Sequence, residues 1–280
     1  MGDRRNERKA RKTRSKDREL LAGTSAHYVD PAYYTKTYRG RVEDVRYYVE
    51  LAAERGGPVL ELGCGNGRIT IPLGRAGVET WGVDLSPEML ADLRRRLKDE
   101  PPEVRARVHV QRGDMRRART GRRFPLIFCP FNALLHLYTR DDVERFLAGA
   151  REQLTPRGEL VFDVSMPEPS ELARDPGRAY HAPRFRYPDP PGEGTMVRYT
   201  ERFDYDKVRQ ILFVAMEFMP MNGGESWMTP LAHRQFYPQE LEALLHYNGF
   251  TITAQHGDFF RGPLTPSSAT ILIHARARKR

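Results

Sequence analysis

The sequence predicts an α/β fold: a doubly wound sheet of seven strands, with a small antiparallel sheet inserted late in the chain. Three observations lead there. Short apolar runs suited to buried parallel strands alternate with segments of helical periodicity from residue 58 to residue 165. The first run, Val59–Leu62, opens into glycines at 63, 65 and 67, which let the backbone turn sharply and approach a ligand. The second, Glu79–Val83, leads directly into an acid, Asp84. A carboxylate there can accept hydrogen bonds from two vicinal hydroxyls, and open α/β sheets bind ligands at the carboxyl ends of their strands.

Residues 1–20 lack apolar periodicity and are expected to be disordered. Residues 21–57 read as an N-terminal helical cap. Tyr28, Tyr33, Tyr34 and Tyr38 cluster there, and Arg41–Arg55 reads as a helix whose Val42, Val45, Val49 and Ala52 follow helical spacing. Gly56-Gly57-Pro58 stops it. After the glycines a helix is expected from Arg68. Ser86-Pro87-Glu88 starts the next one with a cap, a first-turn proline and an acid near its positive end, and Met89, Leu90, Leu93 and Leu97 form its buried stripe. A third strand, Val108–Gln111, precedes Gly113-Asp114-Met115, and a fourth, Leu126–Cys129, runs into Pro130-Phe131-Asn132. Thr139–Leu154 is a helix with Val143, Phe146, Leu147, Ala150 and Leu154 on one face, and Glu159–Val164 is the fifth strand.

Residues 166–194 are rich in proline, glycine and charge and read as a long lid loop. The period then changes. Thr195–Phe203 and Val208–Phe218 flank the turn signal Asp204-Tyr205-Asp206-Lys207, and Ser226–Tyr237 is a candidate third antiparallel strand. Helix Pro238–Asn248 and strands Phe250–Gln255 and Ala269–His274 complete the sheet. The expected organisation is a tail (1–20), a cap (21–57), a ligand-binding domain (58–165 with 236–275), a lid and β insertion (166–235), and a second basic tail (276–280).

A dinucleotide-binding turn needs Gly-x-Gly-x-x-Gly, its helix N-terminus holding a pyrophosphate. Here the spacing is Gly-x-Gly-x-Gly and Arg68 stands where the last glycine belongs, which disfavours a nicotinamide oxidoreductase. Glu61 beside the loop would repel a pyrophosphate and attract a cation. On these residues the chain resembles the class I S-adenosylmethionine (SAM)-dependent methyltransferases, with a Rossmann-like sheet. The resemblance is specific over residues 58–115, and it implies SAM as cofactor. It also implies that Asp84 holds the ribose, Asp114 the adenine amine and Met115 the ring through its amide. The expected cofactor contacts are Tyr28, Tyr38, Glu61, Gly63, Cys64, Gly65, Gly67, Asp84, Leu85, Met89, Gly113, Asp114, Met115 and Pro130. The family usually has an acid after the aromatic at Phe124, where this chain has Pro125. In relatives the N-terminal segment folds over the cofactor, and a β insertion after the fifth strand walls the acceptor pocket.

Composition narrows the remaining classes. The chain has 280 residues, 39% hydrophobic and 30% charged. No apolar run approaches the roughly 18–20 residues that cross a membrane, and there is no apolar signal core, so a cytoplasmic location is expected. Cys64 and Cys129 are too few for a disulfide framework and read as buried fillers. The net charge of +9 lies in the tails: residues 1–20 carry +5, residues 275–280 carry +4, and residues 21–274 balance. A neutral body with no RNA-recognition pattern favours a small-molecule acceptor over nucleic acid, although basic tails can bind RNA through counterion release.

Methyl transfer is an in-line displacement that alignment accelerates, and it needs a base only for a protonated acceptor. His136 and His233 are the candidate bases. Tyr33, Tyr34, Asn132, Arg234 and Tyr237 are the candidate acceptor contacts, Arg234 suiting a carboxylate or phosphate. Trp81 and Trp227 read as packing, and no Cys/His spacing suggests a metal. The expected function is methyl transfer to a small molecule at nitrogen or oxygen, by a monomer or homodimer. The alternatives are an RNA or protein methyltransferase docking through its tails and a SAM-binding protein without catalysis.

Overall fold

The computed structural model describes residues 17–188 and 194–278. They fall into two compact units, a larger one of residues 37–167 with 235–278 and a smaller one of residues 17–36 with 168–234. Residues 17–25 are helical (α1), so the expected disorder of 1–20 fails at its end; its first sixteen positions, and 279–280 of the second tail, lie outside the described residues. The helix α2, Pro31–Tyr38, follows.

The larger unit begins its regular structure with α3, Glu43–Arg55. Its buried face is not the expected valine stripe. Asp44, Tyr47, Tyr48, Leu51 and Ala52 are buried, while Val42 precedes the helix and is 61% exposed. Helical spacing fits both series. The tyrosines win because their hydroxyls find buried partners: Tyr48 donates to Asp163 at 2.7 Å, and Tyr47 bonds His274.

Next come β1 (Val59–Leu62), α4 (Thr70–Arg75), β2 (Thr80–Asp84), α5 (Pro87–Lys98), α6 (Pro102–Arg107), β3 (Val108–Arg112), β4 (Phe124–Cys129), α7 (Arg140–Gln153) and β5 (Leu154–Ser165). The α5 start is as expected: the Ser86 hydroxyl accepts from the Met89 N–H at 3.1 Å, and all four stripe residues are buried. At α7, Thr139 and Asp142 close a reciprocal capping box. Pro125 is accommodated inside β4, where the register with β5 shifts between Phe124 and Leu126.

The smaller unit contains a short helix, α8 (Pro169–Leu172), and strands β6 (Tyr180–Tyr187), β7 (Thr195–Asp206), β8 (Ile211–Pro220) and β9 (Trp227–Arg234), antiparallel in the order β6-β7-β8-β9. The expected lid loop therefore holds an edge strand, β6, which its prolines and charges disguised. Its core is aromatic. Tyr33 stacks on Tyr187 at 5.0 Å and meets Phe218 edge-on at 5.3 Å, and Trp227 stacks on Phe218.

The chain returns to the larger unit with α9 (Pro238–Tyr247), β10 (Phe250–His256) and β11 (Thr270–Ala277). The seven-stranded sheet has the order β10-β11-β5-β4-β1-β2-β3, parallel except for β11, which runs antiparallel to both neighbours. One face packs Leu60, Leu62, Ile127, Phe146, Phe162 and their neighbours; the other packs Tyr47, Tyr48, Val59, Phe128 and Val161. The edge strand β3 is protected by charge: Arg105, Arg112, Arg122 and Arg123 around it are exposed. Trp81 stacks on His109 at 4.3 Å, a packing role as expected. Among the described residues no helix is long and apolar enough to cross a membrane.

Candidate functional site

The parallel strands β1, β2, β3 and β4 end at one edge, and the glycine turn lies there. Gly63, Gly65 and Gly67 all have positive φ, at 83°, 53° and 85°. At Gly63 a side chain is excluded twice, by this backbone and because a Cβ would stand 2.7 Å from the Cβ of Ala133. Val83 C=O accepts from the N–H groups of Gly63 and Cys64 at 2.8 and 3.1 Å, carrying the turn across from β1 to β2. The Cys64 side chain is buried and faces Gly82, where a Cβ would lie 2.9 Å from its sulfur, so Cys64 reaches a ligand only through its backbone.

Asp84 closes this turn. Its two oxygens accept separately from Gly65 N–H at 2.7 Å and Ser86 N–H at 2.8 Å. Burial raises its pKa above the ordinary carboxylate range, and these N–H groups oppose that. Each oxygen keeps a second lone pair for a ligand hydroxyl. Leu85 beside it is half exposed, Met89 is buried with its Cε near Gly65, and Gly113 N–H binds the Asp84 carbonyl at 2.9 Å.

Glu61 is buried on β1 and accepts from the Thr70 hydroxyl at 2.5 Å. Burial pushes its carboxyl up to about 8; Thr70 and Arg68 oppose the rise, and Asp84 and Asp44 add to it. Arg68 turns away from the sheet to Asp44 on α3, which it binds through both terminal nitrogens at 2.9 and 2.5 Å. It is thus an anchor between the glycine turn and α3, and its guanidinium also lies 4.2 Å from the centre of the Phe131 ring.

Phe131 and Asn132 carry the most strained backbone of this edge, with φ of 54° and 64° in consecutive non-glycine residues. The end of β5 holds them. Asp163 accepts from Phe131 N–H at 2.9 Å through its side chain and from Asn132 N–H at 3.2 Å through its carbonyl. Asn132 Oδ1 accepts from Ser165 N–H at 2.6 Å, and its amide donates to the Ser165 hydroxyl. Asn132, expected to face the acceptor, is spent on this clamp. Burial pushes Asp163 up to about 6. Tyr38 meets the Phe131 ring edge-on at 4.9 Å.

The carboxylate of Asp114 is gripped by Arg116, which also binds Asp142 at 2.6 Å, and this pairing holds the Asp114 carboxyl below its ordinary range. Asp114 is therefore ionised but shared. Met115 packs partly into the core, and the Pro130 carbonyl accepts from Ala133 N–H. His136 lies just past β4, partly buried, its Nδ1 3.1 Å from the Tyr138 hydroxyl.

The smaller unit holds the other expected residues. Tyr28 and Tyr34 surround the buried His27, and Tyr33 is a core residue, which corrects its expected place against an acceptor. His233 and Arg234 lie on β9 opposite Leu212 and Ile211. Tyr237 is not on the inserted sheet; it caps α9 in the larger unit and is 39% exposed. Cys64 and Cys129 are buried free thiols, raised by burial, as expected for fillers. Asp44, Asp163, Tyr48 and Arg116 went unnoticed in the sequence; only Arg116, two residues past Asp114, had a local signal. Among the described residues no His, Cys, Asp and Glu cluster could hold a metal.

This arrangement suits a ligand with vicinal hydroxyls and a positive charge. A family model described as "Methyltransferase domain" matches residues 59–158. The chain is 32% identical over 119 residues to "Putative methyltransferase YqeM" of Bacillus subtilis, covering 42% of this chain and 46% of that one. It is 29% identical over 128 residues to the "dTDP-3-amino-3,4,6-trideoxy-alpha-D-glucopyranose N,N-dimethyltransferase" of Streptomyces venezuelae, covering 46% and 51%. It thus spans about half the length of the curated relatives it matches. The solved CcbJ methyltransferase of Streptomyces caelestis superposes with a TM-score of 0.71 at 28% identity, covering 85% of this chain and 90% of that one. Glycine turn, acidic strand ends and sheet order converge with these matches: the chain is similar to known methyltransferases in fold and, over residues 59–158, in sequence.

Proposed function

We propose that this protein transfers a methyl group from SAM to a nitrogen of a small-molecule acceptor. The observation that carries the reading is the clasp of Asp84 on Gly65, which puts an anionic acceptor of hydrogen bonds beside a glycine turn with no Cβ in the way. Its fit to SAM lies in charge: Glu61, Asp84 and Asp163 crowd one edge, whose Arg68 is already paired with Asp44. When bound, SAM supplies an electrophilic methyl on a cationic sulfur. Asp84 holds the ribose, Asp114 and the Met115 amide hold the adenine, and Gly63 and Gly65 admit the amino-acid end. The choice of nitrogen follows the relative named for N,N-dimethylation of an amino sugar.

A neutral amine brings its own lone pair, so the residues need only orient it and exclude water. His136 is the base we assign to a proton shed after transfer. Acceptor recognition in the larger unit we assign to Tyr237.

Titration calorimetry with SAM and with its demethylated product tests the cofactor; no heat and no affinity at millimolar ligand ends the reading. An untargeted metabolite extract incubated with methyl-labelled SAM tests the acceptor. Label appearing in a small amine supports the proposal, and label confined to RNA or protein overturns it.

A further inference from the structure

Four carboxylates gather where β1, β2 and β5 meet α3, and three of them have matched donors. Asp44 takes both terminal nitrogens of Arg68, Asp84 takes two backbone N–H groups, and Asp163 takes the Tyr48 hydroxyl and Phe131 N–H. Among the described residues Glu61 has the Thr70 hydroxyl alone, and it is 2% exposed. We propose that binding of the cofactor drives a proton off Glu61, the ligand's ammonium replacing that proton as its counter-charge. This deepens the reading of the site as a SAM site and rests on it.

The groups that bear on Glu61 are Thr70 and Arg68 beside α4, Asp44 on α3, Asp84 on β2, and the Cys64 and Cys129 thiols. The only guanidinium among them is bound to Asp44. A buried carboxyl so placed keeps its proton: burial, aided by Asp84 and Asp44 and opposed by Thr70 and Arg68, pushes it up to about 8. A ligand bearing an ammonium reverses the balance, because it stabilises only the ionised form. The step balances simply: the protonated carboxyl and the cationic ligand give a carboxylate–ammonium pair and one proton released to buffer. By linkage, affinity then rises with pH until Glu61 is ionised in the free protein. Between pH 6 and 7 the α-amino group of the ligand stays protonated. With the free carboxyl at about 8, the affinity gain over that interval is about tenfold.

The experiment is calorimetric titration of the full chain with SAM, and separately with its demethylated product, in buffers of different ionisation enthalpy at pH 6.0, 6.5 and 7.0. The expected result is release of about one proton per ligand bound, with the tenfold gain in affinity across the range. Glu61→Gln, which can still accept from Thr70, should abolish the release and flatten the pH dependence; any residue of it from Asp163 would survive in this variant and be separated. Wild-type binding with no proton release overturns the inference alone, and so does a Glu61→Gln protein that releases as many protons as wild type. No binding of either ligand at any pH overturns it together with the SAM reading.

Discussion

Replacing Asp84 by asparagine keeps the shape of the side chain and removes its charge. In the free protein the carboxylate accepts from Gly65 N–H at 2.7 Å and Ser86 N–H at 2.8 Å. Asparagine has one acceptor oxygen, so one of these N–H groups must face an amide N–H and lose its partner. A lost hydrogen bond of this kind costs ~1–2 kcal/mol. Part of that is returned, because burial already disfavours the Asp84 anion. The variant should therefore fold, with a net loss of ~1 kcal/mol. Binding should suffer more. Ligand hydroxyls bonded to a carboxylate contribute ~1.5–3 kcal/mol, and at ~1.4 kcal/mol per decade the affinity for SAM should fall ~10–150-fold. Asp84→Ala, which strips both N–H groups of their partner, should cost more in both respects. Calorimetry on each variant beside a urea unfolding curve separates the two effects. An Asp84→Asn protein of near wild-type stability that binds SAM within twofold of wild type would refute the assignment of Asp84 to the ribose.

Two further substitutions probe the frame of the site. Gly63→Ala puts a Cβ on a residue at φ 83°, 2.7 Å from the Ala133 Cβ; overpacking of this kind costs ~1–3 kcal/mol, so urea midpoints should drop and SAM affinity with them. Arg68→Ala leaves Asp44 buried and unpaired, at a cost of ~3 kcal/mol, whereas the Asp44→Ala/Arg68→Ala double variant should recover much of the loss. A double variant as unstable as the single one would show that Arg68 acts through its Phe131 contact rather than through Asp44.

How far the sequence could be read depended on whether a side chain's partner lies nearby in the chain. Ser86 and Thr139 cap helices that begin one residue later, and both caps are present. The glycine turn and Asp84 are likewise local, since a short strand, a turn and the next strand end bring them together. Asp163 is different. Its partners Tyr48 and Phe131 are 115 and 32 residues away, so nothing around it marks it as the support of a strained turn. The helix α3 failed for a related reason: valines and tyrosines both recur at helical spacing, and only the buried hydroxyl partners decide which face turns inward. Strand β6 was hidden because edge strands tolerate the prolines and charges that normally signal a loop. Asn132 and Tyr33 were attractive as contact residues for their chemistry; hydrogen bonds to Ser165 hold the first, and packing holds the second.

The buried groups of the two units predict opposite responses to pH. In the larger unit Glu61 is raised from 4.5 to about 8 and Asp163 from 3.8 to about 6. A carboxyl raised in the folded state holds its proton more tightly there than when unfolded. Its stabilising effect is complete below the ordinary value and is lost as pH climbs through the raised one. At ~1.4 kcal/mol per unit, the upper limit for Glu61 is ~5 kcal/mol and for Asp163 ~3 kcal/mol. Glu159 has the contrary sign: its neighbours hold it down to about 2, so its contribution is present above 4.5 and fails only in strong acid, outside this interval. In the smaller unit burial lowers His27 from 6.5 to about 4. The unfolded chain then binds the extra proton, and stability is lost as pH falls from 6.5 towards 4, up to ~3 kcal/mol. Hydrogen exchange resolved by peptide, at pH 5, 6.5 and 8 without ligand and corrected for intrinsic rates, reads each unit separately. Protection in the strands β1, β4 and β5 should fall from pH 5 to pH 8, and in β7 and β8 it should rise. Glu61→Gln should flatten the first slope and leave the second. If both units gained protection with pH, Glu61 would have to be ionised in the free protein, and the charge argument for the site would lose its buried proton.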